Sequence, residues 1–234
     1  MTVVRALFLR LDAPFAAWRW LQAGVYRATF PVIPHSAAWG LALNLAGIET
    51  RGDVSNVATP IRADAPALDV AVGLERGGDR ATLYQQLHGY PVGAEAGKQF
   101  KARAYGRKYQ IAPARRELLV GQIAIIGIRG ACDVVDRIPS GLAGSLDTPR
   151  YGLPFAGDNQ LLFNAIDVIS ETTPARWYVP VAAGQRVQES TRLTTNIDRS
   201  EASRTQAPLF APTSPEVCPE AAWVRVGRTA MVHE

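Results

Sequence analysis

Glu117-Leu-Leu-Val-Gly-Gln-Ile-Ala-Ile-Ile-Gly-Ile-Arg129 is the stretch on which the fold turns. Its β-branched side chains suit a pleated backbone, so it reads as a strong strand. Immediately before it lies a basic stretch, residues 76–116, broken by Gly77-Gly78, Gly89, Pro91, Gly93 and Gly97. Further back, residues 66–74 (P-A-L-D-V-A-V-G-L) form a weaker strand. Residues 37–46 are Ala/Leu-rich and almost wholly apolar, which predicts a helix buried on most sides. Ser36 is placed to cap it by accepting from a free backbone N–H, and Gly47 to end it in the left-handed conformation. The opening V-V-R-A-L-F-L-R-L of residues 3–11 puts Val3, Arg5, Leu7, Leu9 and Leu11 on one face. Val4, Ala6, Phe8 and Arg10 fall on the other. Both faces are largely apolar, as in a central strand, and Asp12-Ala13-Pro14 is expected to end it because proline cannot donate to a ladder.

In the other direction, a short helix or turn is expected over 132–143 and a turn-rich loop over 149–158. Strands are expected at 160–169 and 175–181, and the polar alternation of 186–199 reads as an exposed hairpin. Residues 207–219 carry Pro208, Pro212, Pro215 and Pro219 and read as loop. Residues 223–226 give a last short strand. No repeat of fixed period is present. Strand, helix, strand, basic insertion, strand, then more β argues an α+β domain with a mainly antiparallel sheet. A ferredoxin-like or RNA-recognition-motif sheet is the natural candidate.

The 234 residues and 25.3 kDa fit one large domain or two small ones. A 47% hydrophobic and 20% charged composition is that of a folded chain. No apolar run approaches ~20 residues, which excludes a spanning helix. Met1-Thr2-Val3-Val4-Arg5 lacks the pattern of a signal peptide, so a cytoplasmic setting without membrane contact is expected. Cys132 and Cys218 are too few for a disulfide framework or a cysteine zinc site. The chain holds no Walker A loop, G-x-G-x-x-G, H-E-x-x-H or G-x-S-x-G. Its three histidines, His35, His88 and His233, show no i,i+4 pair, so no metal or other cofactor is expected.

Charge supplies the positive signal. Residues 76–116 hold nine basic and two acidic residues, against a formal charge of +4 for the whole chain, so the remainder is net acidic. All three lysines, Lys98, Lys101 and Lys108, lie there, with Tyr84, Tyr90, Phe100, Tyr105 and Tyr109 interleaved. Cations for phosphates and ring faces for bases are the parts of a single-stranded nucleic-acid site. Lys101, Arg103, Tyr105 and Arg107 alternate and would share one face of a strand. A solvated hairpin with incidental charge is the plainer reading of the same residues. His88 with Lys98 or Tyr105 would offer a general base and acid for metal-independent RNA cleavage, though a lone loop histidine is more often an ordinary surface residue. His35 and Ser36 stand at a helix start, where free N–H groups favour phosphate. Arg19, between Trp18 and Trp20, is directed away from both if the segment is extended.

Three motifs in order resemble the CRISPR-associated protein 5 family, and its DevS-type subgroup in particular. The first runs from Leu9-Arg-Leu-Asp-Ala-Pro-Phe-Ala-Ala-Trp-Arg19 through Tyr26-Arg27 to Phe30-Pro-Val-Ile-Pro-His-Ser-Ala-Ala-Trp-Gly-Leu41. The others are Arg115-Arg-Glu-Leu-Leu-Val-Gly121 and Arg150-Tyr-Gly-Leu-Pro-Phe-Ala-Gly-Asp-Asn159. His35 replaces the second proline of the family's helix start. The resemblance covers about residues 3–170 and implies a recognition-motif domain, 1–170, with a protruding β-hairpin thumb at about 79–116. A smaller C-terminal β-rich region, 171–234, would pack on it. The implied role is a non-catalytic subunit of a type I interference complex (Cascade) that caps the 5′ handle of the CRISPR RNA. It would contact the backbone and large subunits and meet target DNA through the complex. The residues expected at the RNA are Arg19, Arg27, His35, Ser36, Lys98, Lys101, Arg103, Tyr105, Arg107, Lys108, Tyr109, Arg115 and Arg116. Two other roles fit the same residues: a metal-independent endoribonuclease maturing the repeat RNA with His88 as base, and a structural subunit whose basic stretch docks an acidic protein surface.

Overall fold

The computed structural model describes residues 4–20, 26–52, 59–91, 109–199 and 201–227. Its centre is an antiparallel sheet in the order β6-β1-β5-β3, formed by β1 (Val4–Ala16), β3 (Leu68–Arg76), β5 (Tyr109–Ala131) and β6 (Ala165–Ile169). Helix α1 (His35–Leu45) lies between β1 and β3 in the chain; α2 (Cys132–Val135) and α3 (Arg137–Leu142) follow β5. The class is α+β, with a mostly antiparallel sheet, as the sequence predicts. β1 outruns its expected end at Pro14. The register passes from Ala13↔Gln122 to Phe15↔Val120, so Pro14 sits opposite Gly121 at a rung where no N–H is required.

Strand β4 (Asp79–Pro91) continues along the same edge of β5 that β3 occupies. Arg76 faces Ile123 and Asp79 faces Val120. Between these rungs the ladder bends at Gly77-Gly78 on one side and at Gly121 on the other. Gly78 and Gly121 have φ of 78° and 69°, where a β-carbon is strained. A β-carbon on Gly78 would also stand 3.0 Å from the Val120 carbonyl oxygen. The bend is pinned by the buried Gln122 carboxamide. Its oxygen accepts from Trp18 Nε1 at 2.6 Å, and its nitrogen donates to the carbonyls of Pro31 at 2.8 Å and Gly77 at 3.2 Å. Arg76 Nε donates to the Gly121 carbonyl at 2.7 Å.

One face of the central sheet is covered by a helix and part of the other by the C-terminal segment. On one, α1 packs Ala38, Trp39, Ala42, Leu43 and Leu45 against Leu9, Leu11, Val70, Val72, Ile126 and Ile128. On the other, Phe8, Ala71, Ile125 and Trp177 form a smaller cluster with Trp223 beside it. The two tryptophans need glycine beneath them. A β-carbon on Gly73 would lie 2.9 Å from Trp177 Cε3, and one on Gly127 2.8 Å from Trp223 Cη2. Phe8 meets both rings edge-on. The tryptophans arrive with the C-terminal part of the chain: β7 (Arg176–Pro180) and β10 (Val224–Val226) both pair with the outer edge of β3.

Four further expectations require correction. Residues 186–199 are not a hairpin; β8 (Thr191–Arg192) pairs with β9 (Leu209–Pro212), which in turn pairs with β7. β9 falls in the supposed proline loop. Pro208 precedes the strand and Pro212 is its last residue, end positions that proline tolerates. Leu193, Thr194 and Thr195 are buried, not exposed. The expected strand at 160–169 shortens to β6, with only a Phe155–Leu162 bridge before it. Finally, α1 begins at His35, with Pro34 in the capping position and no side-chain cap. Ser36 donates its N–H to the Thr194 carbonyl at 3.0 Å, so it is not the cap. Gly47, with φ of 71°, does end the helix as expected.

Gln122→Leu keeps the volume but leaves the Trp18 indole N–H and two carbonyls without their partner. It should destabilise the chain by about 1–3 kcal/mol. Urea denaturation followed by tryptophan fluorescence measures the shift; an unchanged midpoint would remove the pin.

Candidate nucleic-acid interface

Beyond the bend, β5 changes neighbours. β4 runs antiparallel on one side, and β2 (Tyr26–Arg27) pairs in parallel on the other. Two rungs result. Tyr26, Arg115 and Tyr84 are aligned across the three strands on one face; Arg27, Arg116 and Leu83 are aligned on the other. Tyr26 is 46% and Tyr84 60% exposed. Arg115 is exposed, and its side chain makes no hydrogen bond or ion pair with any described residue.

Glu117, two residues on, shares the Arg115 face and is saturated with donors. It accepts from the Thr29 N–H at 2.9 Å and the Tyr26 hydroxyl at 3.5 Å, and pairs with Arg80 at 2.7 Å. Burial pulls its pKa up, but the Thr29 amide and Arg80 outweigh burial and hold it below the ordinary carboxylate range. Glu117 thus ties β2 and β4 to β5, and Arg80 offsets its charge.

Arg116 has the opposite fate. Only 11% exposed, it is ion-paired to Asp158 in the loop after α3. That loop is seated by close backbone contact. Ala17 donates to the Ala156 carbonyl at 2.9 Å, and a β-carbon on Gly157 would fall 2.1 Å from the Ala17 carbonyl oxygen. Arg116 was expected at the ligand; it is an internal tie between two of the family-like motifs. Arg19 and Arg27 are exposed, as a contact role requires. Arg19 bridges Thr29 through its backbone, beside Trp20 stacked on Phe30 at 5.4 Å. Tyr109 is the first residue of β5 and His88 lies in β4. Lys98, Lys101, Arg103, Tyr105, Arg107 and Lys108 lie outside the described residues. Tyr26 was not expected at the site, and Tyr84 only as one of the rings interleaved in the basic stretch. They stand far apart in the chain, and only the register brings them to Arg115.

A family model described as CRISPR-associated protein (Cas_Cas5) matches residues 6–139. The chain belongs to the CRISPR-associated protein 5 family. Its fold is also that of a chain in a solved "CRISPR RNA-guided surveillance complex". The TM-score is 0.56 at 16% identity, over 90% of this chain and 91% of that one. A chain solved as "Crystal structure of Cas protein" aligns with TM-score 0.49 and 14% identity, over 91% and 96%. No curated protein matches the sequence. The family match takes in β1 to α3, and so includes the bend, both rungs and the start of α1.

His35, at that start, is a correction. It is fully buried, its ring 4.6 Å from that of Phe210 in β9, and neither nitrogen has a partner among the described residues. It offers no atom to a ligand. Ser36 is half-buried beside it. Among the described residues no group of three or more His, Cys, Asp or Glu could hold a metal, and no helix is long and apolar enough to cross a membrane.

Burial drives the His35 pKa down to about 3, against about 6.5 when unfolded. Between those values the unfolded chain binds the extra proton, so stability rises with pH and falls as pH drops below about 6.5. This group alone should cost roughly 2 kcal/mol between pH 7 and 5. His35→Leu should remove that part of the loss. Urea midpoints of both proteins at the two pH values test it; equal pH dependence would refute the assignment.

Proposed function

We propose that the chain is a non-catalytic RNA-binding subunit of a type I CRISPR interference complex (Cascade). It caps the 5′ handle of the CRISPR RNA and contacts the backbone and large subunits. Family membership supports the setting. The observation that carries the RNA role is the run of β4 and β5 past the glycine bend. Their shared ladder continues from Asp79↔Val120 to Pro91↔Tyr109, and the residues linking them in sequence hold every lysine of the chain. This is the thumb of the recognition-motif reading. The helix between β1 and β3, the helices after β5 and the order β6-β1-β5-β3 support the rest of that reading.

The covered sheet faces bear on how RNA is held. Recognition motifs stack bases on an open sheet, and here Trp177 and Trp223 occupy part of that face. Capture therefore falls to the thumb and its base. Cations neutralise the phosphates of a bent single strand, and exposed rings take its bases.

The test is titration of the full chain with single-stranded RNA carrying the repeat-derived 5′ handle from its own CRISPR array. The triple variant Lys101→Glu, Arg103→Glu, Arg107→Glu should weaken binding. The slope of log K against log salt should fall by about 0.7 for each phosphate no longer neutralised. Unchanged affinity and slope would instead favour docking of an acidic protein surface. In EDTA the RNA should stay intact. A product ending in a 2′,3′-cyclic phosphate, absent with His88→Ala, would show an endoribonuclease.

A further inference from the structure

Of the rung Tyr26–Arg115–Tyr84 the fold uses only the Tyr26 hydroxyl, which reaches Glu117 at 3.5 Å, and leaves the ring faces and the guanidinium open. Each ring is about half exposed or more, Arg115 has no described partner, and Glu117 on the same face is neutralised by Arg80. Resting on the RNA-binding reading above, we propose that this rung is a two-base site for unstacked single-stranded RNA. Tyr26 and Tyr84 each receive one base, and Arg115 receives the phosphate between them.

The spacing sets the ligand. Neighbouring strands lie about 4.8 Å apart, so the two tyrosine backbones are roughly 10 Å apart. Stacked nucleotides of one strand rise by about 3.4 Å. Adjacent bases cannot remain stacked on one another while each covers one of these rings. The rung therefore selects a strand whose bases are turned out, and rejects a duplex, whose bases are already stacked and paired. The cation at the centre matches a backbone phosphate flanked by two outward bases. An acidic protein surface would meet Arg115 alone and make no use of two flanking ring faces.

Both tyrosines are exposed strand residues, so their variants should fold; thermal melting confirms it. Tyr26→Ala and Tyr84→Ala should each weaken binding of the repeat-derived single-stranded RNA roughly 5- to 150-fold, the range for loss of one base–aromatic stack. The salt slope should not change, because every phosphate keeps its cation. Tyr26→Phe and Tyr84→Phe should restore affinity, since the ring face is what stacks. Arg115→Gln should lower the slope by about 0.7. A blunt duplex of the same RNA should bind with no sensitivity to either tyrosine. If the unmodified chain binds the RNA as proposed and both alanine variants match it, the two-base site is overturned and the RNA-binding reading stands. If the unmodified chain does not bind, both fall. Displacement of the RNA by poly-glutamate, with no effect of either tyrosine, would assign the rung to an acidic partner and also overturn the proposal.

Discussion

One buried carboxamide holds the place where this molecule changes from a packed sheet into the β4–β5 ladder. Gln122 joins the Trp18 indole, the Pro31 carbonyl and the Gly77 carbonyl, groups from three chain segments that share no continuous secondary structure. A buried amide without partners is costly, and one with all of them is rigidifying. The network therefore fixes both strands where the paired glycines alone would leave them loose. On the near side of the bend, β5 is flanked by β1 and β3 and sealed by side chains on both faces. On the far side it is flanked by β2 and β4, and Arg115 meets solvent.

The same division sets where rings and cations are left exposed. The C-terminal segment covers part of the second face of the sheet, and it does so through small residues beneath large ones. Gly73 and Gly127 let Trp177 and Trp223 lie close against the strands. A recognition-motif sheet with that face open would read bases directly. The exposed chemistry lies at the base of the β4–β5 ladder, where Tyr26, Tyr84, Arg27 and Arg115 are collected on β2, β4 and the far part of β5.

Local pattern carries much of this into view. β-branched density marks β5, two apolar faces mark β1, and an Ala/Leu run ending at Gly47 marks α1. The density of lysine and tyrosine over 76–116 marks the segment that joins β4 to β5. What escapes the pattern is non-local. The pairing of β8 with β9 depends on a proline-rich segment meeting a polar one, and neither looks like a strand alone. His35 looks like a surface ligand because histidine usually is exposed or partly so. It is buried because β9 and the 193–195 segment close over the start of α1. Ser36 has the identity of a cap but not the position, since the Pro34 and Thr194 carbonyls take the first helical N–H groups.

Arg115 and Arg116 show how far residue type alone can mislead. They are neighbours of identical chemistry in one basic motif, and the motif alone assigns both to RNA. A strand sends successive side chains to opposite faces, and here the two faces have different surroundings. One holds Tyr26, Tyr84 and an acid already neutralised; the other lies beneath the loop that brings Asp158. Arg116 therefore spends its charge inside the protein, joining the strand to that loop, while Arg115 keeps its charge for whatever approaches from outside. Lengthening the strand by one residue would exchange the two positions, so register, more than charge, decides which arginine is left exposed.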